Sequence, residues 1–177
     1  GSGTIAIAAA LIAKNRAPGL ERSFSAQRWA CVPAQAWMDA ADEAMDREFD
    51  GAYEIWGGDI DPKAVAIAQD NAVKAGVEDL IRFEVADARA FRREAPYGRV
   101  VTNPPYGERI MEKREAEELY RAFGKAYRGL PPGWSLALLS SHTEFERTFG
   151  RTADKKRKLY NGMIKCDLFL YHKRERG

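Results

Sequence analysis

Lys156-Arg157-Lys158-Leu159-Tyr160-Asn161-Gly162-Met163-Ile164-Lys165-Cys166-Asp167-Leu168-Phe169-Leu170-Tyr171 decides the fold. Its two arms, 156–160 and 163–171, read as strands. The Asn161-Gly162 between them is the strongest short hairpin signal, because both central positions of a type I′ turn need φ > 0. The expectation is a sheet that ends in an antiparallel hairpin. Upstream, short strand patterns alternate with helical ones, as in a parallel α/β sheet. A parallel sheet finished by a hairpin departs from a nicotinamide-binding Rossmann domain, and ordinary dehydrogenases drop in rank.

Moving upstream, Thr143 to Phe149 reads as a short helix closed by Gly150, and Trp134 to Ser140 as a strand that follows the breaker Pro131-Pro132-Gly133. Glu112 to Tyr127 is an amphipathic helix with Leu119, Phe123 and Ala126 on its apolar face. Before it, a strand from about Arg99 to Thr102 delivers Asn103-Pro104-Pro105-Tyr106-Gly107. The two prolines remove two backbone donors, and Pro104 keeps Asn103 extended just past the strand. One reading is a plain proline turn, since Asn-Pro commonly initiates turns. The other is a strand end that presents groups to a ligand. In that reading the Asn103 side-chain oxygen and the Pro104 carbonyl accept from the two N–H bonds of an exocyclic amine, whose nitrogen must become more tetrahedral to act as a nucleophile. Tyr106 then stacks on an extruded base.

Further upstream, Ile81 to Val85 is a strand followed by Ala86-Asp87-Ala88-Arg89. Asp87 is either a turn or cap residue or an acceptor for the adenine amino group of a cofactor. Tyr53 to Gly58 is a strand that ends in Asp59-Ile60-Asp61-Pro62, and Pro62 opens a helix with Val65, Ala68, Ala72 and Ala75 on one face and Gly76 at its end. Asp59 stands where Rossmann-type proteins hold ribose hydroxyls. Asp61 is open between helix cap and cofactor contact. Residues 16–50 form an insertion: an irregular part, then a helix from Pro33 to about Phe49 with the stripe Trp37, Ala41, Met45, Phe49. At the front, Gly1-Ser2-Gly3-Thr4 feeds Ile5 to Ala13, an apolar, alanine-rich helix expected to be buried on all sides. Such a glycine entry lets a ligand approach backbone at a helix amino end, although a Gly-Ser start is also what an expression scar looks like. The expectation is that a first strand precedes Gly1 in a longer protein.

The 177 residues fit one domain, 1–177, and 45% hydrophobic with 31% charged residues indicates a soluble globular class. Cys31 and Cys166 lack metal-ligand spacing and read as two buried thiols in a reducing cytoplasm; no metal is expected. A net charge of +2 is too small for a free-standing nucleic-acid binder, so such contact has to come from a local patch or a partner domain.

Taken together, Gly-Ser-Gly-Thr-Ile-Ala, Gly-Gly-Asp-Ile-Asp-Pro-Lys-Ala-Val, Asn-Pro-Pro-Tyr-Gly-Glu-Arg-Ile and Lys-Leu-Tyr-Asn-Gly-Met-Ile-Lys-Cys resemble the THUMP-associated methyltransferases. These are often labelled adenine-N6 DNA methylases and are similar to the enzyme that methylates guanine N2 in large-subunit ribosomal RNA. The resemblance implies a Rossmann-like class I methyltransferase sheet, S-adenosylmethionine as cofactor and RNA as substrate, aided by an amino-terminal THUMP-type domain. It implies that Gly1, Ser2, Gly3 and Thr4 lie by the methionine part of the cofactor, that Asp59, Ile60 and Asp61 hold the ribose side, and that Asp87 and Ala88 face the adenine. Asn103, Pro104, Pro105 and Tyr106 carry the reaction, with Asn103 also beside the cofactor. Tyr106, Gly107 and Arg109 meet the substrate, although Arg109 can equally form a salt bridge at a helix start. Lys155 and Lys156 either follow an RNA backbone or protect an edge strand.

Overall fold

A computed structural model of the chain describes residues 1–107 and 110–173. The chain divides into two compact units, Gly1–Val85 and Ala86–Gly177.

In the first unit, α1 (Thr4–Lys14) and α2 (Ala34–Asp46) precede β1 (Ile55–Asp59), α3 (Pro62–Lys74) and β2 (Ile81–Val85). The two strands pair in parallel from Ile55↔Ile81 to Asp59↔Val85. Val65, Ala68 and Ala72 of α3 are buried as the sequence pattern predicts. Ala10, Ala72, Val77 and Ile81 form the core, with Ala6, Ile7 and Leu11 packed on it. The expectation of a fully buried α1 fails: Ile5 is 44% and Ile12 79% exposed. The reason lies in what the helix meets. Residues 6, 7, 10 and 11 make one stripe, and the strands and α3 cover only that stripe.

The insertion also departs from its expected packing. Its helix stops at Asp46, Trp37 stacks on Phe24 at 5.8 Å, and Met45 and Phe49 stay exposed. Polar ties anchor its exit instead. The Phe49 amide donates to the Lys14 carbonyl (2.7 Å), satisfying part of the carboxyl end of α1, and Glu48 pairs with both Lys14 and Arg16. Cys31 is exposed, contrary to the buried-thiol reading, because it lies in the irregular part of this insertion; Cys166 is buried.

The second unit holds β3 (Tyr97–Thr102), α4 (Ile110–Arg128), β4 (Gly133–Ser140), α5 (Phe145–Phe149), β5 (Lys155–Asn161) and β6 (Ile164–Tyr171). Its sheet runs β3-β4-β6-β5, with β3 and β4 parallel and β6 antiparallel to both neighbours. The hairpin therefore ends the sheet, as expected, but its turn is shifted by one residue. Asn161 pairs with Ile164, so Gly162 and Met163 are the central positions. Only Gly162 has positive φ, at 60°. That is the pattern of a II′ turn, whose first central position calls for glycine.

The core of this unit is aromatic. Phe145 lies 4.5 Å from Phe169 and 5.2 Å from Phe149 between ring centroids, and Phe149 lies 5.1 Å from Tyr171. Each such pair adds about 0.5–1.5 kcal/mol beyond burial. The apolar face of α4 is Ala116, Tyr120, Phe123 and Tyr127, with the expected Leu119 and Ala126 only half-buried beside it. Tyrosines can take this face because each hydroxyl finds an acceptor; that of Tyr127 donates to the Trp134 carbonyl at 3.2 Å. The Trp134 indole N–H in turn donates to the Ala95 carbonyl (2.7 Å), and its ring meets Phe91 edge-on at 6.2 Å.

Candidate active site

β3 ends at Thr102, and Asn103 follows it exposed. The turn after Asn103 is held from beneath. Tyr120, fully buried, donates its hydroxyl to the Pro105 carbonyl at 2.6 Å and lies 3.2 Å from Ser140 Oγ. Ser140 Oγ accepts from the His142 amide (3.1 Å). His142 Nδ1 accepts from the Glu144 amide (3.2 Å), which leaves the ring proton on Nε2, facing Glu117 Oε1 at 3.2 Å. The run from Glu117 to Pro105 is thus a polar chain, buried at Tyr120, Ser140 and His142 and open at both ends, in which each donor meets an acceptor. Burial raises the Tyr120 phenol, the Ser140 hydroxyl opposes this, and the nearby Tyr106 adds to the rise.

Tyr106 is half-buried, and its hydroxyl accepts from Asn161 Nδ2 at 3.2 Å. Burial raises its pKa, Asn161 and Asn103 oppose the rise, and Cys166 reinforces it, so the ring is neutral at physiological pH. Gly107 has φ 69°. Arg109 lies outside the described residues. Asp87 starts a short turn at Ala88–Ala90; its carboxylate accepts from the Arg89 amide (2.9 Å) and pairs with the guanidinium, which holds it below the usual carboxylate range. Lys155 is exposed, whereas Lys156 pairs with Glu146 of α5 at 2.7 Å.

In the first unit, Gly3 caps α1 with φ +79°, and a Cβ there would come within 2.8 Å of Ala68 Cβ. Both the conformation and the space call for glycine. The Ser2 carbonyl accepts from Asn71 Nδ2 (3.0 Å), and the Ser2 and Thr4 hydroxyls lie 3.0 Å apart. The Gly1 nitrogen lies beside the Asp59 carboxylate. Asp59 also accepts from the Asp61 amide and Asp61 from the Lys63 amide, each at 2.9 Å, so Asp61 is a helix cap. Ile60 is 62% exposed. Gly1 to Thr4 and Asp59 to Asp61 thus come together at the amino end of α1 and the carboxyl end of β1. Among the described residues no three His, Cys, Asp or Glu side chains gather as a metal ligand set.

Asn71, Tyr120, Ser140, His142 and Asn161 escaped the sequence reading. Asn161 carried a signal of its own but was absorbed into the turn. The polar chain had none, because its members are scattered in sequence from Pro105 to His142 and fall on different elements.

Residues 1–169 match the family described as RMKL-like, methyltransferase domain. The chain belongs to this family. The RMKL-like chain is 43% identical over 172 residues to the Bacillus subtilis protein named "Putative RNA methyltransferase YpsC", covering 97% of itself and 44% of that protein. It is 39% identical over 176 residues to the ribosomal RNA large subunit methyltransferase K/L of Shewanella baltica, covering 97% of itself and 25% of that protein. The crystal structure of SMU.472, described as "a putative methyltransferase complexed with SAH", matches with a TM-score of 0.95 at 37% identity over 100% of this chain and 47% of that one. The RMKL-like chain therefore spans less than half the length of these proteins. Its fold is the Rossmann-like class I methyltransferase type with an antiparallel hairpin, as the sequence led one to expect.

Proposed function

We propose that the chain carries S-adenosylmethionine-dependent methyl transfer to an exocyclic amino group of a nucleobase, guanine N2 of large-subunit ribosomal RNA. The observation that carries this reading is the bond from the Tyr120 hydroxyl to the Pro105 carbonyl, which fixes the turn from below while the Asn103 amide stays exposed. Family membership and the Shewanella baltica relative's name support the RNA side of it.

Residues 1–177 act in this reading as one methyltransferase domain with an insertion at 16–50, within a longer cytoplasmic protein whose THUMP-type domain aids RNA binding. The glycine entry suits a cofactor that approaches backbone: Gly1, Ser2, Gly3 and Thr4 line its methionine end, and Asp59 accepts from the ribose diol, flanked by Ile60 and Asp61. Asp87 and Ala88 take the adenine. The cofactor supplies an electrophilic methyl group on a sulfonium. Asn103 Oδ1 and the Pro104 carbonyl accept from the amine's two N–H bonds, Pro105 keeps the turn rigid, and Tyr106 stacks on the base. With the cofactor held there, its methyl group would pass to the amine nitrogen, the sulfur would leave as the neutral thioether of S-adenosylhomocysteine, and the nitrogen's surplus proton would go to solvent. Positioning and hydrogen-bond acceptance do the work. Gly107, Arg109 and, on the basic strand β5, Lys155 fall to the RNA, while Lys156 is engaged with Glu146.

The test is to incubate the intact protein with labelled S-adenosylmethionine and undermodified ribosomal RNA. Methylguanosine on nucleoside analysis is the expected result. Its absence sinks the guanine reading, and methyladenosine in a DNA duplex replaces it with adenine-N6 methylation.

A further inference from the structure

Resting on that nucleic-acid reading, we propose that one face of the β5 edge strand, Lys155-Arg157-Leu159-Asn161, is the track along which single-stranded RNA next to the target nucleotide runs to Tyr106. The four basic residues at 155–158 are alike in sequence, but the pleat divides them. Successive side chains on a strand point to opposite faces. Lys156 lies opposite Phe169 in the register, stands over its ring at 5.9 Å and pairs with Glu146, so its face is the one that packs on α5. Lys158 and Tyr160 share that face. Lys155, Arg157, Leu159 and Asn161 project from the other, where Asn161 holds the Tyr106 hydroxyl and Cys166, opposite Leu159, is buried.

All seven residues of β5 are exposed, and among the described residues no ion pair joins Lys155 or Arg157 to a carboxylate. The track is about 20 Å long at the rise of a strand. It is cationic at its outer end, apolar at Leu159, and ends on the aromatic ring that receives the base. That sequence of charge, apolar step and ring matches a backbone that enters charged and delivers one unstacked base. A duplex, with its bases already stacked, does not use the inner end.

The test compares two double variants of the intact protein for binding a short single-stranded oligoribonucleotide and the duplex of the same sequence, across a salt series. Lys155→Gln with Arg157→Gln is expected to weaken single-strand binding about tenfold and to lower the salt slope by about 1.4, two released counterions' worth. Lys156→Gln with Lys158→Gln removes the same charge from the other face and is expected to cost less than a third of that loss. Thermal melts of both variants confirm that they are folded, and Arg157→Lys is expected to restore most of the affinity to an Arg157→Gln chain. Equal losses in both doubles, no RNA binding by the parent protein, or an effect of the first pair on self-association alone each overturn the track. RNA binding with this face dependence but without methyl transfer keeps the track and overturns the catalytic reading.

Discussion

Tyr120 joins the stability of the second unit to the shape of the Asn103 turn. Replacing it by Phe keeps the ring beside Phe145, 5.0 Å away, and removes the donor to Pro105 and the acceptor for Ser140. The hydrogen bond lost at this part-buried carbonyl is worth about 0.5–1.5 kcal/mol, so urea unfolding of Tyr120→Phe is expected to show a loss in that range. A loss near zero means that the carbonyl finds water instead. Asn103 is exposed, and its side chain meets the Tyr106 hydroxyl at the surface. Asn103→Ala is therefore expected to leave the melting curve and S-adenosylmethionine affinity nearly unchanged while methyl transfer collapses. Equal loss of binding and transfer places Asn103 at the cofactor alone.

At the scale of elements, the hairpin is fastened by its turn and by one ion pair. Gly162→Ala puts a Cβ where φ is 60° and is expected to cost about 1–2 kcal/mol. Glu146 of α5 feels burial, which raises its carboxyl, but the Lys156 ammonium and the Ala153 amide outweigh it and hold the carboxyl below its ordinary 4.5. The Lys156 ammonium is raised above 10.5 by the same partner. A depressed carboxylate contributes stability above its unfolded pKa and loses it as pH falls through the folded value; a raised ammonium contributes below its unfolded pKa and loses it on the alkaline side. The stability gap between the parent and Lys156→Met is thus expected to be widest between pH 4.5 and 10.5 and to close outside that window, by denaturant titration at several pH values. A gap that stays constant with pH assigns Lys156 a packing role over Phe169.

For the molecule as a whole, a ligand that binds only the folded state stabilises it by mass action. S-adenosylmethionine at about a hundredfold over its Kd is expected to add about 2.7 kcal/mol, and Asp59→Ala to abolish the shift. No shift in the parent protein removes the cofactor from the proposal. Much of this architecture was legible. The spacing of Val65, Ala68 and Ala72 gave α3, Asp61 before Pro62 offered its cap as one of two open readings, and the hairpin arms gave β5 and β6. Periodicity reports which side of an element is apolar, and it could not tell that α1 would be covered on one stripe only. Asn161-Gly162 serves two turn registers, and choosing between them took the pairing with β6. The candidate site was legible where it is local in sequence, as at Asn103 to Gly107. It was silent where α4 and β4 meet beneath, because a buried tyrosine with a partner has no pattern of its own.

The position of Trp134 has a further use. Trp29, Trp37 and Trp56 belong to the first unit, which leaves Trp134 as the single tryptophan of the second. Its indole is bonded to Ala95 and its residue pairs with Gly98 on the strand that leads to Asn103. A chain with the other three replaced by phenylalanine carries a built-in fluorophore whose emission reports how β4 packs on that strand and on Phe91, without any attached dye.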